Sequence, residues 1–137
     1  DQLHQIWRGM ADEGLISDEQ YRNGTVLNFY KSPQEFMAPL NDSSSAPYRN
    51  GLRLVDERTV YVKCPYRRRW NENGDTETFA AGLMATIRSW SRHSFIGAAG
   101  EAAADTLFER LQQRIADAPS DWSLDYVEHH QMMEKVA

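Results

Sequence analysis

The apolar residues of this chain keep two different periods, and the change from one to the other limits what it can fold into. Leu3, Ile6, Trp7 and Met10 fall at i, i+3, i+4 and i+7, a single stripe of an amphipathic helix. Phe79, Ala80, Leu83, Met84, Ile87 and Trp90 repeat that spacing, and Leu107, Phe108, Leu111 and Ile115 repeat it again. Between these stripes Val60, Val62 and Cys64 share one parity while Tyr61 and Lys63 share the other, the alternation of a strand. Such a chain must pack helices with sheet, and taken alone it reads as α+β.

Local signals place the boundaries. Gly14 stands where a left-handed residue ends the first helix, with Leu15 as its accompanying hydrophobic contact. Ser17-Asp-Glu-Gln20 and Ser32-Pro33-Gln34-Glu35 are capping-box patterns, each opening a short helix. Asn23-Gly24 ends the first of these, and the second runs to about Leu40. Thr25 to Tyr30 is β-branched and aromatic, hence extended. Asn41 to Pro47 is a polar loop, the most mobile stretch expected. The strand spans Leu52 to Tyr66, with Asp56-Glu57-Arg58 as a bulge or turn, and Asn71-Glu-Asn-Gly74 is a turn. Asp75 or Thr76 caps a long helix to about Phe95. Gly97 to Gly100 breaks it before a helix over Glu101 to Ala116. Trp122 to Val136 reads as a closing strand.

Composition narrows the functions. A formal charge of −5 argues against general nucleic-acid affinity. The basic run Tyr66-Arg67-Arg68-Arg69-Trp70 reads as a solvated strand end whose arginines pair with nearby acids. No apolar run approaches the roughly 20 residues of a membrane helix, and no signal-peptide pattern stands at Asp1. The single cysteine, Cys64, allows no internal disulfide and fits a reducing compartment, so cytoplasm is expected. Cys64 has no histidine near it in sequence and reads as an inert buried thiol. His129 and His130 are adjacent and face opposite sides of a strand, so they do not share a metal. His93 either orients an acceptor group or caps a carbonyl near a helix end.

Four blocks in order carry a resemblance. The first is the helix end Met10-Ala-Asp-Glu-Gly-Leu-Ile16, then the acidic short helix, Leu27-Asn28-Phe29-Tyr30 and Ser32-Pro33-Gln34-Glu35-Phe36. The second is Thr78 to Phe95, especially Phe79-Ala-Ala-Gly-Leu-Met84 through His93-Ser-Phe95. The third is Ala104-Asp-Thr-Leu-Phe108-Glu-Arg-Leu111, and the last is the closing strand around Tyr126. Together they resemble the plant-type carboxyl methyltransferases, the SABATH family, and their bacterial relatives. Plant members carry Ala-Glu-Pro after the methionine. This chain has Ile87-Arg88-Ser89-Trp90-Ser91 there, closer to the bacterial relatives.

The resemblance implies the C-terminal portion of a Rossmann-like α/β methyltransferase. Residues 1–47 would be a helical cap that binds the methyl acceptor. Residues 48–137 would be a strand–helix–helix–strand unit whose two strands pair antiparallel as the last two of a seven-stranded sheet. S-adenosylmethionine would sit on the N-terminal half. The only glycine cluster here, Gly97-Ala-Ala-Gly100, joins two helices and is not a cofactor loop. The chain alone is therefore expected to hold no catalytic, cofactor-binding or metal residue and to be inactive. The acceptor would be a small-molecule carboxylic acid, with Trp7, Met10, Met84, Trp90 and Tyr126 lining its pocket; the same residues read equally well as helix and strand packing. An open sheet edge would lead to self-association, such as a homodimer. No nucleic-acid or membrane partner is expected. A second reading, from the lack of any metal, phosphate or triad signature, is a non-catalytic α+β protein-interaction module.

Overall fold

The structure, a computed structural model, describes residues 2–26 and 31–136. Among these are seven α-helices and one two-stranded antiparallel sheet, an α+β arrangement. The chain forms two compact units, residues 1–27 with 64–124 and residues 28–63 with 125–137. These boundaries differ from the division after residue 47 read from the sequence. The strand pair draws the two separated segments of the second unit together, and that long-range pairing leaves no mark on local composition.

The first unit is helical. It holds α1 (Gln2–Asp12), α2 (Asp18–Asn23), α5 (Pro65–Asn73), α6 (Thr76–Ala99) and α7 (Glu101–Asp117), closed by a 3-10 turn at Pro119–Asp121. Its core is the sum of the three stripes. Leu3, Ile6, Trp7 and Met10 of α1 meet Phe79, Leu83, Ile87 and Phe95 of α6 and Leu107, Phe108, Leu111 and Ile115 of α7. Aromatic edges order the centre. Trp7 and Phe95 lie 5.0 Å apart at 63°, and Phe95 and Phe108 lie 6.1 Å apart at 79°, the edge-to-face geometry that aromatic quadrupoles favour. Ser91 is buried among them, and its hydroxyl donates to the Ile87 carbonyl at 2.6 Å, so its polarity is satisfied within the helix.

Helix ends follow the local signals. Leu15 N–H donates to the Met10 carbonyl and Gly14 N–H to that of Ala11, both at 2.9 Å, and Gly14 has φ +75°: a Schellman end for α1. The buried apolar residue beyond it is Ile16, while Leu15 is half exposed. Both expected capping boxes form. Ser17 and Gln20 exchange hydrogen bonds ahead of α2, and Ser32 and Glu35 do so ahead of α3. Asp75 caps α6 by accepting from Thr78 N–H at 3.0 Å.

Several expectations are corrected. The strand does not reach Tyr66. It stops at Val62, and Pro65 opens α5 with Cys64 as the N-cap, its sulfur accepting from Arg67 N–H at 3.4 Å. Proline at the first helical turn has no N–H to lose, and it outweighs the alternation that ran through Cys64. The basic run is therefore helical, and residues 71–73 belong to α5, which ends at the left-handed Gly74. Gly97 does not break α6; that helix continues to Ala99 and ends at Gly100, φ +86°. The polar loop shrinks to residues 42–45 because Ser45 caps a further helix, α4 (Ala46–Arg49). The extended stretch expected at 25–30 shows no regular structure at Thr25 and Val26; Leu27 to Tyr30 lie outside the described residues.

The second unit is α3 (Pro33–Asn41), α4 and the ribbon of β1 (Leu52–Val62) with β2 (Tyr126–Lys135). The pairing is antiparallel, from Leu52 opposite Lys135 to Val62 opposite Tyr126, with one bulge between Leu54 and Asp56. The bulge absorbs the irregularity read at Asp56–Arg58, and the strand continues through it. The two ends are tied: Val136 N–H donates to the Gly51 carbonyl at 2.8 Å, and the Lys63 ammonium meets the Asp125 carboxylate at 2.8 Å. Helix α3 covers one face of the ribbon. The Phe36 ring stacks on His129 at 6.3 Å, and the Gln131 amide donates to the Met37 sulfur at 3.2 Å.

Candidate functional site

The outer face of α6 carries an open groove of about 530 Å³. Its wall is apolar at Met84, Ala85 and Ile96 and cationic at Arg88 and Arg92, with Ser89 and His93 at its rim. Helical spacing builds it. Met84, Arg88 and Arg92 stand four apart and share one face, turned away from the Leu83, Ile87 and Phe95 row that faces the core.

Helix α7 supplies the counter-charge. Arg88 and Arg92 both donate to the same oxygen of Asp105, at 2.7 and 3.0 Å. Arg92 also stands 3.9 Å from the Glu101 carboxylate, which is largely exposed. The Arg88 guanidinium lies 5.8 Å from the centre of the Phe108 ring. Arg92 Nε is buried and meets no acceptor. The groove therefore offers a hydrophobic floor beside guanidinium donors, a setting for a small amphiphilic anion. The groove between α1 and α7 differs: there Arg110 is committed to both oxygens of Glu13 at 2.8 and 2.7 Å, and Arg114 to Gln2 at 2.8 Å.

The four acceptor-lining candidates of the helical unit do not line one groove. Trp7 and Met10 are wholly buried in the core. The Trp7 indole packs on Phe95, and its N–H donates to the Tyr21 carbonyl at 3.2 Å. Met84 lies half-buried in the groove wall. Trp90 is 44% exposed on α6 but lines no part of that groove. Tyr126 is half exposed at the start of β2, in the other unit. Arg88 and Arg92, which sequence reasoning passed over, do line the groove; the signal was the four-residue spacing from Met84.

The remaining candidates resolve into structure. Among the described residues Arg67 pairs with no acid. Its guanidinium donates to the carbonyls of Pro119, Ser120 and Trp122, and stacks on Trp70 at 4.9 Å, clasping the turn after α7. Cys64 is buried at the start of α5. His93 is exposed two turns before the end of α6. His129 and His130 do face opposite sides of β2: Nδ1 of His129 lies 3.1 Å from the Thr59 hydroxyl, and Nε2 of His130 lies 2.9 Å from Glu128. Among the described residues no group of three or more His, Cys, Asp or Glu side chains is placed to hold a metal ion, and no helix is long and apolar enough to cross a membrane.

Hydrogen bonds depress several carboxyls of the chain, Glu13, Glu35 and Asp75 among them. The Arg110 hydrogen bond holds the Glu13 carboxyl below its ordinary range, and Glu13 in turn raises Arg110. The Ser32 backbone N–H lowers Glu35, and the Thr78 hydroxyl and N–H lower Asp75. All three are structural pairs at helix ends or between helices, and none of them lines the groove on α6.

Among the described residues the strand-to-helix junction is Lys63-Cys64, between β1 and α5, and it contains no glycine. No protein-family model matches the chain, and no curated protein matches it.

Proposed function

We propose that this chain is the acceptor-binding part of an S-adenosylmethionine-dependent methyltransferase acting on a small-molecule carboxylate. One observation carries the reading furthest. Strands β1 and β2 lie some sixty residues apart in sequence with α5, α6 and α7 between them, yet they pair antiparallel over their whole length. This order supports the strand–helix–helix–strand unit that the resemblance implies, although three helices rather than two stand between the strands. The groove beside Met84 is the second support, since it joins an apolar wall to anion-binding side chains.

In this reading β1 and β2 close a larger Rossmann-like sheet, and the cofactor is held by residues outside this chain. The role of the chain is to bind and orient the acceptor. An ionised carboxylate is already a nucleophile, so no general base is required, and rate comes from positioning. The test is transfer of labelled methyl from S-adenosylmethionine to a panel of carboxylic acids. It uses the protein encoded by the reading frame that contains this chain. Transfer to at least one acid supports the reading, and no transfer across the panel removes it.

The exposed apolar side chains of the ribbon favour a second reading, a non-catalytic interaction module. Tyr61 is 77% exposed, and Tyr126, Val127, Met132 and Met133 are about half exposed or more, a concentration that marks contact surfaces. A stoichiometric protein partner recovered with the chain, indifferent to methyl donor, would favour it.

A further inference from the structure

The ribbon unit encloses one imidazole without completing its hydrogen bonds. The His129 side chain is only 12% exposed. Its Nδ1 lies 3.1 Å from the Thr59 hydroxyl. Its Nε2 is buried and makes no hydrogen bond, although the Glu57 carboxylate stands 3.5 Å away. The register explains the grouping: Thr59 is opposite His129 and Glu57 is opposite Gln131, so these four share one face of the ribbon. Helix α3 closes that face. The Phe36 ring stacks on His129 at 6.3 Å and 29°, and Met37 accepts from the Gln131 amide. A buried nitrogen with no partner is costly, and here it sits beside a carboxylate.

We propose that His129 is a protonation-dependent latch, whose charged form holds α3 on the ribbon more tightly than its neutral form. A neutral imidazole has one N–H for its two nitrogens, and the charged ring has an N–H on each. The charged ring therefore donates from Nδ1 to Thr59 while Nε2–H turns an opposite charge toward Glu57. The same ring carries Phe36, so the gain is passed to α3. The other charged groups nearby are placed differently. On β1, Asp56 and Arg58 lie on the opposite face, and on β2 so do Glu128 and His130, which pair with each other at 2.9 Å. On α3, Glu35 is committed to Ser32. The Lys31 ammonium, 5.9 Å from the centre of the Phe36 ring, is a like charge against the stack. Histidine changes charge between about pH 5 and 8. The latch is closed at the acid end of that window and releases as pH rises through it.

The test is amide hydrogen exchange in the protein containing this chain, read at residues 33–41 near both ends of that window. Protection factors, which remove the intrinsic pH dependence of exchange, are compared. Protection of α3 is expected to be about three- to fivefold higher at the acid end, the effect of a partly exposed ion pair, and the difference should shrink in high salt. Glu57→Gln should abolish the difference. Glu57 is half exposed, so its replacement leaves the ribbon folded even where His129→Gln does not. His130→Gln, on the opposite face, should leave the difference intact. Protection of α3 that does not change across the window overturns the latch. So does a pH dependence that survives Glu57→Gln or His129→Gln, or one that disappears with His130→Gln.

Discussion

Gly24 leaves no space for a side chain beneath the Trp7 indole: a Cβ at position 24 would lie 2.3 Å from Trp7 Nε1 and 2.6 Å from Cε2. The indole is wedged between this backbone and Phe95, with its N–H on the Tyr21 carbonyl. The end of α2 is thereby fixed to α1.

Gly24→Ala is accordingly expected to destabilise the helical unit by about 1–3 kcal/mol, the usual cost of overpacking a filled site. Thermal melts followed by near-UV circular dichroism read it, because Trp7 is the fully buried tryptophan. A melting temperature equal to that of the parent protein would show that the indole can move aside.

Removing the Arg67 clasp should loosen the turn after α7. Arg67→Met keeps the stem but removes donors to the carbonyls of Pro119, Ser120 and Trp122. Hydrogen bonds to a charged group contribute roughly 1.5–3 kcal/mol, so a loss of about 2 kcal/mol is expected. Amide exchange should accelerate first at residues 118–124. If protection there were unchanged, Arg67 would be an ornament of the surface.

The sequence signals that read correctly were short-range. Ser17 with Gln20, Ser32 with Glu35 and Gly14 with Ala11 each act within one helical turn, so local composition suffices to place them. Helix α5 was missed because the alternation of Val60, Val62 and Cys64 continued past the true strand end, while the competing signal was a single proline at 65 capped by an uncommon cysteine. The groove was half legible. Met84 was visible in its stripe, but a stripe does not say which apolar residues face the core. Trp7 and Met10 are fully buried while Met84 is not, a distinction set by tertiary packing of α1 against α6 and α7.

Acid should weaken the tie between α1 and α7. Arg110 holds the Glu13 carboxyl below its ordinary range. A depressed carboxyl contributes stability that is present above its unfolded value and is lost as pH falls through the folded value. Melting temperature should therefore fall below about pH 4, and Glu13→Gln should flatten that part of the profile. Profiles of the two proteins that stayed parallel down to pH 3 would contradict the assignment.

The ribbon has two outer edges with no strand partner among the described residues, and unpaired edges recruit strands. Self-association of the chain is expected, with a mass above the 15.8 kDa monomer in sedimentation. Lysine at Val127 or Met132, both exposed on β2, should shift the population toward monomer. A monomer at every concentration tested would remove the edge as an interface.

The most direct measurement is steady-state methyl transfer by the protein containing this chain, with and without Met84→Ala. Binding in the groove predicts that the Michaelis constant for the carboxylic acid rises severalfold while that for S-adenosylmethionine is unchanged, with the melting temperature reporting any loss of packing separately. An unchanged acceptor constant, or an equal rise in both constants, would contradict the account.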